Sequence, residues 1–219
     1  LHFERELKGL NQLQKRGIDS AVPLFSGKTD DGRWVIVLEK IVDSATVLDV
    51  LSKTTDKRAE LDLFVRVCRE LAKQHSKGVL QKDLHLENFL LSDDQLYSID
   101  PSQMAFSPGQ VSRRESISQL SLLVLKMPGG DIKSIRKNCE EYINARCWNY
   151  EKSVEVFLRQ QLTLHMERGI RRGLKKCIRT GTRFLRIRDG GTVAVFDRDF
   201  CRAADPLDFI GRMDTLMDK

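Results

Sequence analysis

No stretch of this 219-residue chain is apolar over the ~20 residues that a membrane-spanning helix requires, so an integral helical membrane protein is not expected. Cysteine is scarce and oddly numbered: Cys68, Cys139, Cys147, Cys177 and Cys201 form no C-x-x-C pair, which argues against a disulfide framework or a zinc ribbon and fits a reducing cytosol. They read as small, mostly buried apolar residues. Aromatic residues make up only 7% of the chain and no nucleic-acid recognition motif accompanies the basic charge, so nucleic acid ranks last among partners. Internal repeats and low-complexity tracts are missing. The opening "LHFERELKGL" lacks the apolar core of a secretory signal, and export is not expected.

What is present is ordinary for a packed soluble domain: 41% hydrophobic and 31% charged residues. The net charge of +6 is uneven, because residues 151–219 hold 15 Lys/Arg against 10 Asp/Glu. Between Arg168 and Arg188 there are nine basic residues and no acidic one. Such a segment attracts anions. Ile170, Leu174, Cys177 and Ile178 fall on one side of its helical pattern, with Arg171, Arg172, Lys175, Lys176 and Arg179 around the rest. That suits an anionic lipid surface or an anionic glycolipid, and the plainer alternative is a solvated helix face.

Along the chain, Phe3, Leu7, Leu10 and Leu13 repeat at helical spacing until "KRGID" ends the pattern. Glu6 precedes Leu10 and Leu13 by four and seven residues, which places its carboxylate at the edge of the apolar stripe. "VPLFSGKTDDGR" reads as strand and turn, and "WVIVLEKI" as a continuous buried strand. Leu61, Phe64, Val65, Cys68, Leu71, Ala72 and His75 mark a second helix over 57–77 that stops at Gly78, with His75 a satisfied core histidine. "NFLLS" and "QLYSID", joined by "DDQ", read as a β-hairpin with Asn88 at one end and Asp100 at the other. "PSQMAFSPGQ" reads as loop. Helical patterns follow at 112–127, 131–147 and 150–179, with "MPGG" between the first two. "RFLRIRDGGTVAVFDRDF" is a hairpin about a Gly-Gly turn, and "PLDFIGRMDTLMD" a closing helix.

The spacing of Asp83, Asn88 and Asp100 carries the chemistry. Two carboxylates and a carboxamide at the ends of short strands supply hard oxygen ligands of the kind magnesium prefers. A kinase-type site needs one aspartate to accept a proton from the attacking hydroxyl, and an asparagine and a further aspartate for the metal. Asp83, Asn88 and Asp100 follow that order.

"QKDLHLENFLL" resembles the catalytic loop of the protein-kinase-like fold, and "SID" its metal-binding segment. "KDLHLENFLL" followed by "YSID" is similar to bacterial lipopolysaccharide core kinases of the InaA/WaaP type, heptose and Kdo kinases that act at the cytoplasmic face of the inner membrane. The likeness runs through residues 1 to about 130, and "GLKKCIRTGTRF" also looks like family sequence. It implies an α+β protein-kinase-like fold: a partial small lobe over 1–44, a mainly helical large lobe over 45–180 with the catalytic loop, and a C-terminal hairpin and helix over 181–219. It also implies Asp83 as catalytic base and Asn88 and Asp100 as magnesium ligands beside ATP. Glu6 would be the helix glutamate that pairs with a phosphate-binding lysine, and Glu39, in the connection "LEKIVDS", would line the adenine pocket. His85 and Lys82 are the candidate substrate contacts; the plainer reading of His85 is a histidine hydrogen-bonded beside two carboxylates. ATP, magnesium and a lipopolysaccharide core glycolipid are the expected ligands, with peripheral contact to the inner membrane through Arg168 to Arg188.

The chain departs from the family pattern in places. Gln81 stands where kinases commonly have histidine, and Pro101 follows the metal-binding aspartate. No glycine-rich loop or strand lysine precedes the first helix, because the sequence opens at that helix. The favoured expectation is a piece of a longer protein, with a second kinase unit beyond Lys219 as a further hypothesis. A non-catalytic kinase-like binding module, or another small-molecule phosphotransferase of the aminoglycoside or choline kinase type, is the alternative.

Overall fold

The computed structural model describes residues 2–127, 132–149, 151–177, 180–189 and 192–199 of a mixed α+β chain. Helix α1 (His2–Lys15) buries Gly9, Leu10 and Leu13. It stops where the sequence changes hand: Gly17 takes φ 62°, its N–H reaches Gln14 O at 3.0 Å, and Ile18 N–H reaches Leu13 O at 3.0 Å. This is a Schellman ending, with the apolar pair Leu13 and Ile18 closing it.

Strands β1 (Pro23–Lys28) and β2 (Trp34–Leu38) form an antiparallel hairpin. The expectation of a buried strand at 34–41 fails here: Trp34 is 55% exposed, Val37 44% and Leu38 38%. A continuous apolar run is buried only when layers cover both its faces. Among the described residues β1 and β2 pair with each other alone, and cover comes mainly from α1, where the Phe3 ring stacks on Trp34 at 4.6 Å.

The centre of the chain supplies the main core. A short strand β3 (Ala45–Thr46) leads into α2 (Val47–Lys53), whose N-terminus is capped by Thr46 accepting from Asp49 N at 3.0 Å. Helix α3 (Lys57–Ser76) is capped by Asp56 and ends as the Gly78 rule predicts, with Gly78 at φ 72°. A Cβ at Gly78 would strike the carbonyl oxygens of Ser107 and Gly109, so this position needs glycine for close approach as well as for its backbone angle.

Four short strands then divide between two sheets, β5 and β6 in one and β4 and β7 in the other: β4 (Val79–Gln81), β5 (Phe89–Ser92), β6 (Gln95–Ser98) and β7 (Met104–Phe106). The expected hairpin is β5–β6, turned by Asp93 and Asp94 at φ 44° and 63°, and β3 adds to its other edge. Residues 101–110, expected as loop, contain a 3-10 turn at Pro101–Gln103 followed by β7. Strand β7 pairs antiparallel with β4, from Val79 opposite Phe106 to Gln81 opposite Met104. Three residues with only Met104, Ala105 and Phe106 to show carry no alternation long enough to read; their partner lies more than twenty residues upstream.

Helices α4 (Arg113–Val124), α5 (Ile132–Ala145) and α6 (Lys152–Cys177) follow. Phe64, Val67, Cys68, Leu71 and Ala72 of α3 meet Leu120 and Leu123 of α4, Tyr142 and Ile143 of α5, and Phe89 of β5 in one core. Leu13, Ile18, Val79 and Met104 form a smaller one between α1 and the β4–β7 pair. Cys68 and Cys139 are buried, as read from the sequence, whereas Cys147 is exposed; Cys201 lies outside the described residues.

Contacts divide the chain into Leu1–Leu162 and Thr163–Lys219. In the second unit the expected hairpin is β8 (Phe184–Asp189) with β9 (Thr192–Asp197). Its Gly190–Gly191 turn, most of the "MPGG" break and the closing helix expected after residue 205 lie outside the described residues. None of the helices in the described residues is long and apolar enough to cross a membrane.

Candidate functional site

The segment after α3 turns twice within ten residues, and that brings polar groups together. Strand β4 ends at Gln81, Lys82 N–H donates to Gln103 O at 2.9 Å, and the chain leaves the β4–β7 ladder at Asp83. A 3-10 turn over Leu86–Asn88 then folds the chain back into β5. Leu84 and Leu86 anchor this loop in the main core while Lys82, Asp83 and Glu87 face solvent. The buried leucines anchor the loop and leave its polar groups at the surface.

Asn88 is buried and its Nδ2 donates to the backbone oxygen of Asp83 at 2.7 Å. The side-chain amide therefore closes the loop across five residues, and its Oδ1 accepts no hydrogen bond among the described residues. Asn88 O accepts from Ile99 N at 3.0 Å, so the β5–β6 hairpin returns the chain to the loop just before Asp100. Asp100 sits at φ 54°, ψ 54°, a left-handed conformation that costs a non-glycine residue roughly 1 kcal/mol and is least unfavourable for Asp and Asn. Its Oδ1 accepts from Ser102 Oγ at 2.7 Å, and the carboxylate is otherwise exposed.

Glu6 joins the group from α1. Its Oε2 accepts from Ser102 N at 3.2 Å, as the edge position on the helix suggests. Burial, and after it the nearby Asp100 carboxylate, holds the Glu6 carboxyl above the usual range, although the Ser102 N–H works against this. Gly9 makes the approach of α1 feasible, because a Cβ there would lie 2.7 Å from both Cβ and O of Pro101. His85 lies between two carboxylates, with Nε2 3.7 Å from Asp83 Oδ2 and Nδ1 3.4 Å from Glu87 Oε2. Neither is a good hydrogen bond, and Nδ1 is buried without a hydrogen-bond partner. Glu39 stands apart: its N–H donates to Val22 O at 2.8 Å, its side chain is exposed, and no contact among the described residues links it to Asp83, Asn88 or Asp100.

Beneath the loop runs a buried polar network that the sequence reading missed apart from His75. Asn88 Nδ2 also lies 3.5 Å from Gln81 Oε1, Gln81 Nε2 donates to Gln74 Oε1 at 2.9 Å, and Gln74 Nε2 donates to Ser98 Oγ at 2.7 Å. Gln119 donates to the backbone oxygen of Gln81 and faces His75 Nε2 at 2.9 Å, while His75 Nδ1 meets Tyr142 Oη at 2.5 Å. Arg146 continues it to Ser116 Oγ at 3.0 Å and Val111 O at 3.2 Å. His75 is thus the satisfied core histidine expected, its pKa pushed down to about 4 by burial; Tyr142 is pushed up to about 12, also by burial. Gln81 follows the apolar pair Val79 and Leu80, but Gln74 stands between Lys73 and His75, so the local sequence carried little signal for the network.

Asn88 Oδ1 and Asp100 Oδ2 accept no hydrogen bond among the described residues, and the Asp83 carboxylate is exposed. Among the described residues no group of three His, Cys, Asp or Glu is arranged to hold a metal. A dedicated protein cage needs more ligands than this; magnesium bound with a nucleotide takes one or two carboxylates and completes its shell with phosphates and water.

A cavity of about 480 Å³ adjoins the loop, lined by neighbours of the trio (Lys82, Pro101, Ser102) and by Arg5, Lys8, Gly9 and Gln12 of α1, not by the trio itself. Compared with family models and with curated proteins, the sequence matches none, and what the chain does must be argued from these groups.

Proposed function

We propose that the chain is a kinase-fold unit that transfers the γ-phosphate of ATP, with magnesium, to a hydroxyl of a lipopolysaccharide inner-core sugar. The observation that supports this most is the closed loop: Asn88 is held to Asp83 by its Nδ2, and the same asparagine's carbonyl receives the backbone just before Asp100. Two residues at a separation of five and a third returned by a hairpin are what the kinase reading asks for. Bound magnesium neutralises charge that develops on the transferring phosphoryl group. Asp83 orients and deprotonates the acceptor hydroxyl, and its exposure leaves it open to an acceptor. Asn88 Oδ1 and the Asp100 carboxylate would hold the cation. The buried glutamine network under the loop limits its motion, which favours positioning over covalent chemistry.

The acceptor class rests on the likeness of "KDLHLENFLL" and "YSID" to the core kinases. Peripheral contact with an anionic membrane rests on the exposed face of α6, where Ile170 and Leu174 stand among Arg168, Arg171, Arg172 and Lys175. The alternative reading is a non-catalytic kinase-like binding module. Magnesium-ATP titration and turnover with lipopolysaccharide core acceptors separate the two. For the kinase, Asp83→Asn should bind nucleotide yet lose on the order of 10²–10⁴ in rate, and Asp100→Ala should lose magnesium-dependent nucleotide binding. Absence of turnover with every such acceptor, or unchanged turnover in Asp83→Asn, defeats the kinase reading.

A further inference from the structure

The cleft between α1 and residues 101–106 carries charge that nothing in the fold uses. Arg5, Lys8 and Gln12 recur at helical spacing on the face of α1 that lines it, and Lys82 enters from the loop opposite. Among the described residues none of these three cations makes an ion pair or a hydrogen bond through its side chain. The acids on the same elements do not pair with these cations either: Glu4, one turn before Lys8, is exposed. Glu6 accepts from Ser102 N–H, Asp100 accepts from Ser102 Oγ, and Asp83 faces His85. In the same unit Arg33 meets Asp31, Arg66 meets Asp94 and Arg69 meets Glu141, while other exposed cations such as Lys40 and Lys53 stand alone among the described residues; what sets Arg5, Lys8 and Lys82 apart is that they line one cavity. Three like charges gathered on one concavity repel one another, and that cost is offset when an anion sits between them.

We infer that this cleft is an anion site, separate from the proposed metal–nucleotide site, that takes a phosphomonoester dianion through Arg5, Lys8 and Lys82. The chemistry of the walls selects that class. A guanidinium fork matches two oxygens of a phosphate, two ammonium groups add point charges, and the amides of Gln12 and Gln103 supply neutral donors. Pro101, Met104 and Phe106 form an apolar floor, which focuses the field of the cations into the cavity. A volume of about 480 Å³ has room for a phosphate together with the group that bears it. Because Lys82 precedes Asp83 and Ser102 holds both Glu6 and Asp100, an anion here draws α1 towards the catalytic loop. Free inorganic phosphate and a phosphate carried on a sugar share this chemistry.

Calorimetric titration of the full chain in magnesium-free buffer at constant ionic strength tests the site, with inorganic phosphate, glucose 6-phosphate and glucose as probes. Saturable one-to-one phosphate binding is expected, weakened at least about tenfold in an Arg5→Gln/Lys8→Gln variant and again in Lys82→Gln. Tighter binding of glucose 6-phosphate than of phosphate points to a phosphorylated sugar as the source, and equal binding to the free anion. Glucose binding as well as its phosphate, or unweakened binding in the variants, overturns the inference. So does an absence of saturable phosphate binding. Should a variant fail to fold, phosphate-induced NMR shifts in the unaltered chain decide: shifts at Arg5, Gln12 and Lys82 support the site, and shifts confined elsewhere refute it. Asp100→Asn should leave phosphate binding intact, so a failed kinase reading and a failed anion site give different results.

Discussion

His75 carries two hydrogen bonds in the core and no charge, and pH acts on the fold through it. Its folded pKa of about 4 lies below the ordinary 6.5, because burial and then the nearby Arg146 disfavour the imidazolium against the opposing Gln119 bond. Between those two values the unfolded chain binds more protons than the native one. Stability is therefore complete above about pH 6.5 and declines as pH falls towards 4, by about 3 kcal/mol in all. Glu6 and Glu70, whose carboxyls are raised by burial, act in the opposite direction, so the contrast with a non-titrating variant is the quantity to read. Urea unfolding of the chain and of His75→Gln at pH 7 and pH 4.5 should show a shallower loss in the variant; equal losses would contradict the assignment. Gln81 makes a second test at this scale. Gln81→Leu removes the donor to Gln74 Oε1 and leaves that acceptor buried, which should cost about 1–3 kcal/mol in the same assay. A change below about 0.5 kcal/mol would mean that the network does not hold the loop.

Among the elements, α1 contributes more to the candidate site than its length suggests. It supplies Glu6, the basic wall of the cleft and, at Gly9, the clearance that brings it onto Pro101. Gly9→Ala places a methyl 2.7 Å from backbone and side chain of a proline turn that cannot yield, so α1 must shift. The gain in helix propensity, about 1 kcal/mol, is smaller than the 1–3 kcal/mol expected from overpacking, and thermal unfolding should show net destabilisation. A stabilised Gly9→Ala would mean that α1 stands off the turn. The β1–β2 hairpin shows the reverse case, an element whose pattern asks for burial on faces that its own unit leaves open.

For the whole molecule the charge distribution sets the expectation. Five of the six net positive charges fall in residues 151–219, and on α6 the basic residues alternate with exposed Ile170 and Leu174. Co-sedimentation with vesicles containing anionic phospholipid should therefore exceed that with neutral vesicles and fall steeply between about 0.05 and 0.5 M salt, as the Debye length shrinks. Binding indifferent to salt or lipid charge would assign this face to solvent.

Local periodicity was enough to locate α1, α3 and the three later helices, the β5–β6 and β8–β9 hairpins, and the loop in which Asp83 and Asn88 lie, because helix faces, caps and tight turns are set by residues within a few positions of one another. The approach of Glu6 to Ser102, the pairing of β7 with β4, the exposure of β2 and the glutamine network between Asn88 and Tyr142 came only with the folded chain. Each depends on partners that lie in other elements, seven to about a hundred residues away, or on whether a second layer is present, and a short polar or apolar run has the same local pattern whichever neighbour the fold brings to it.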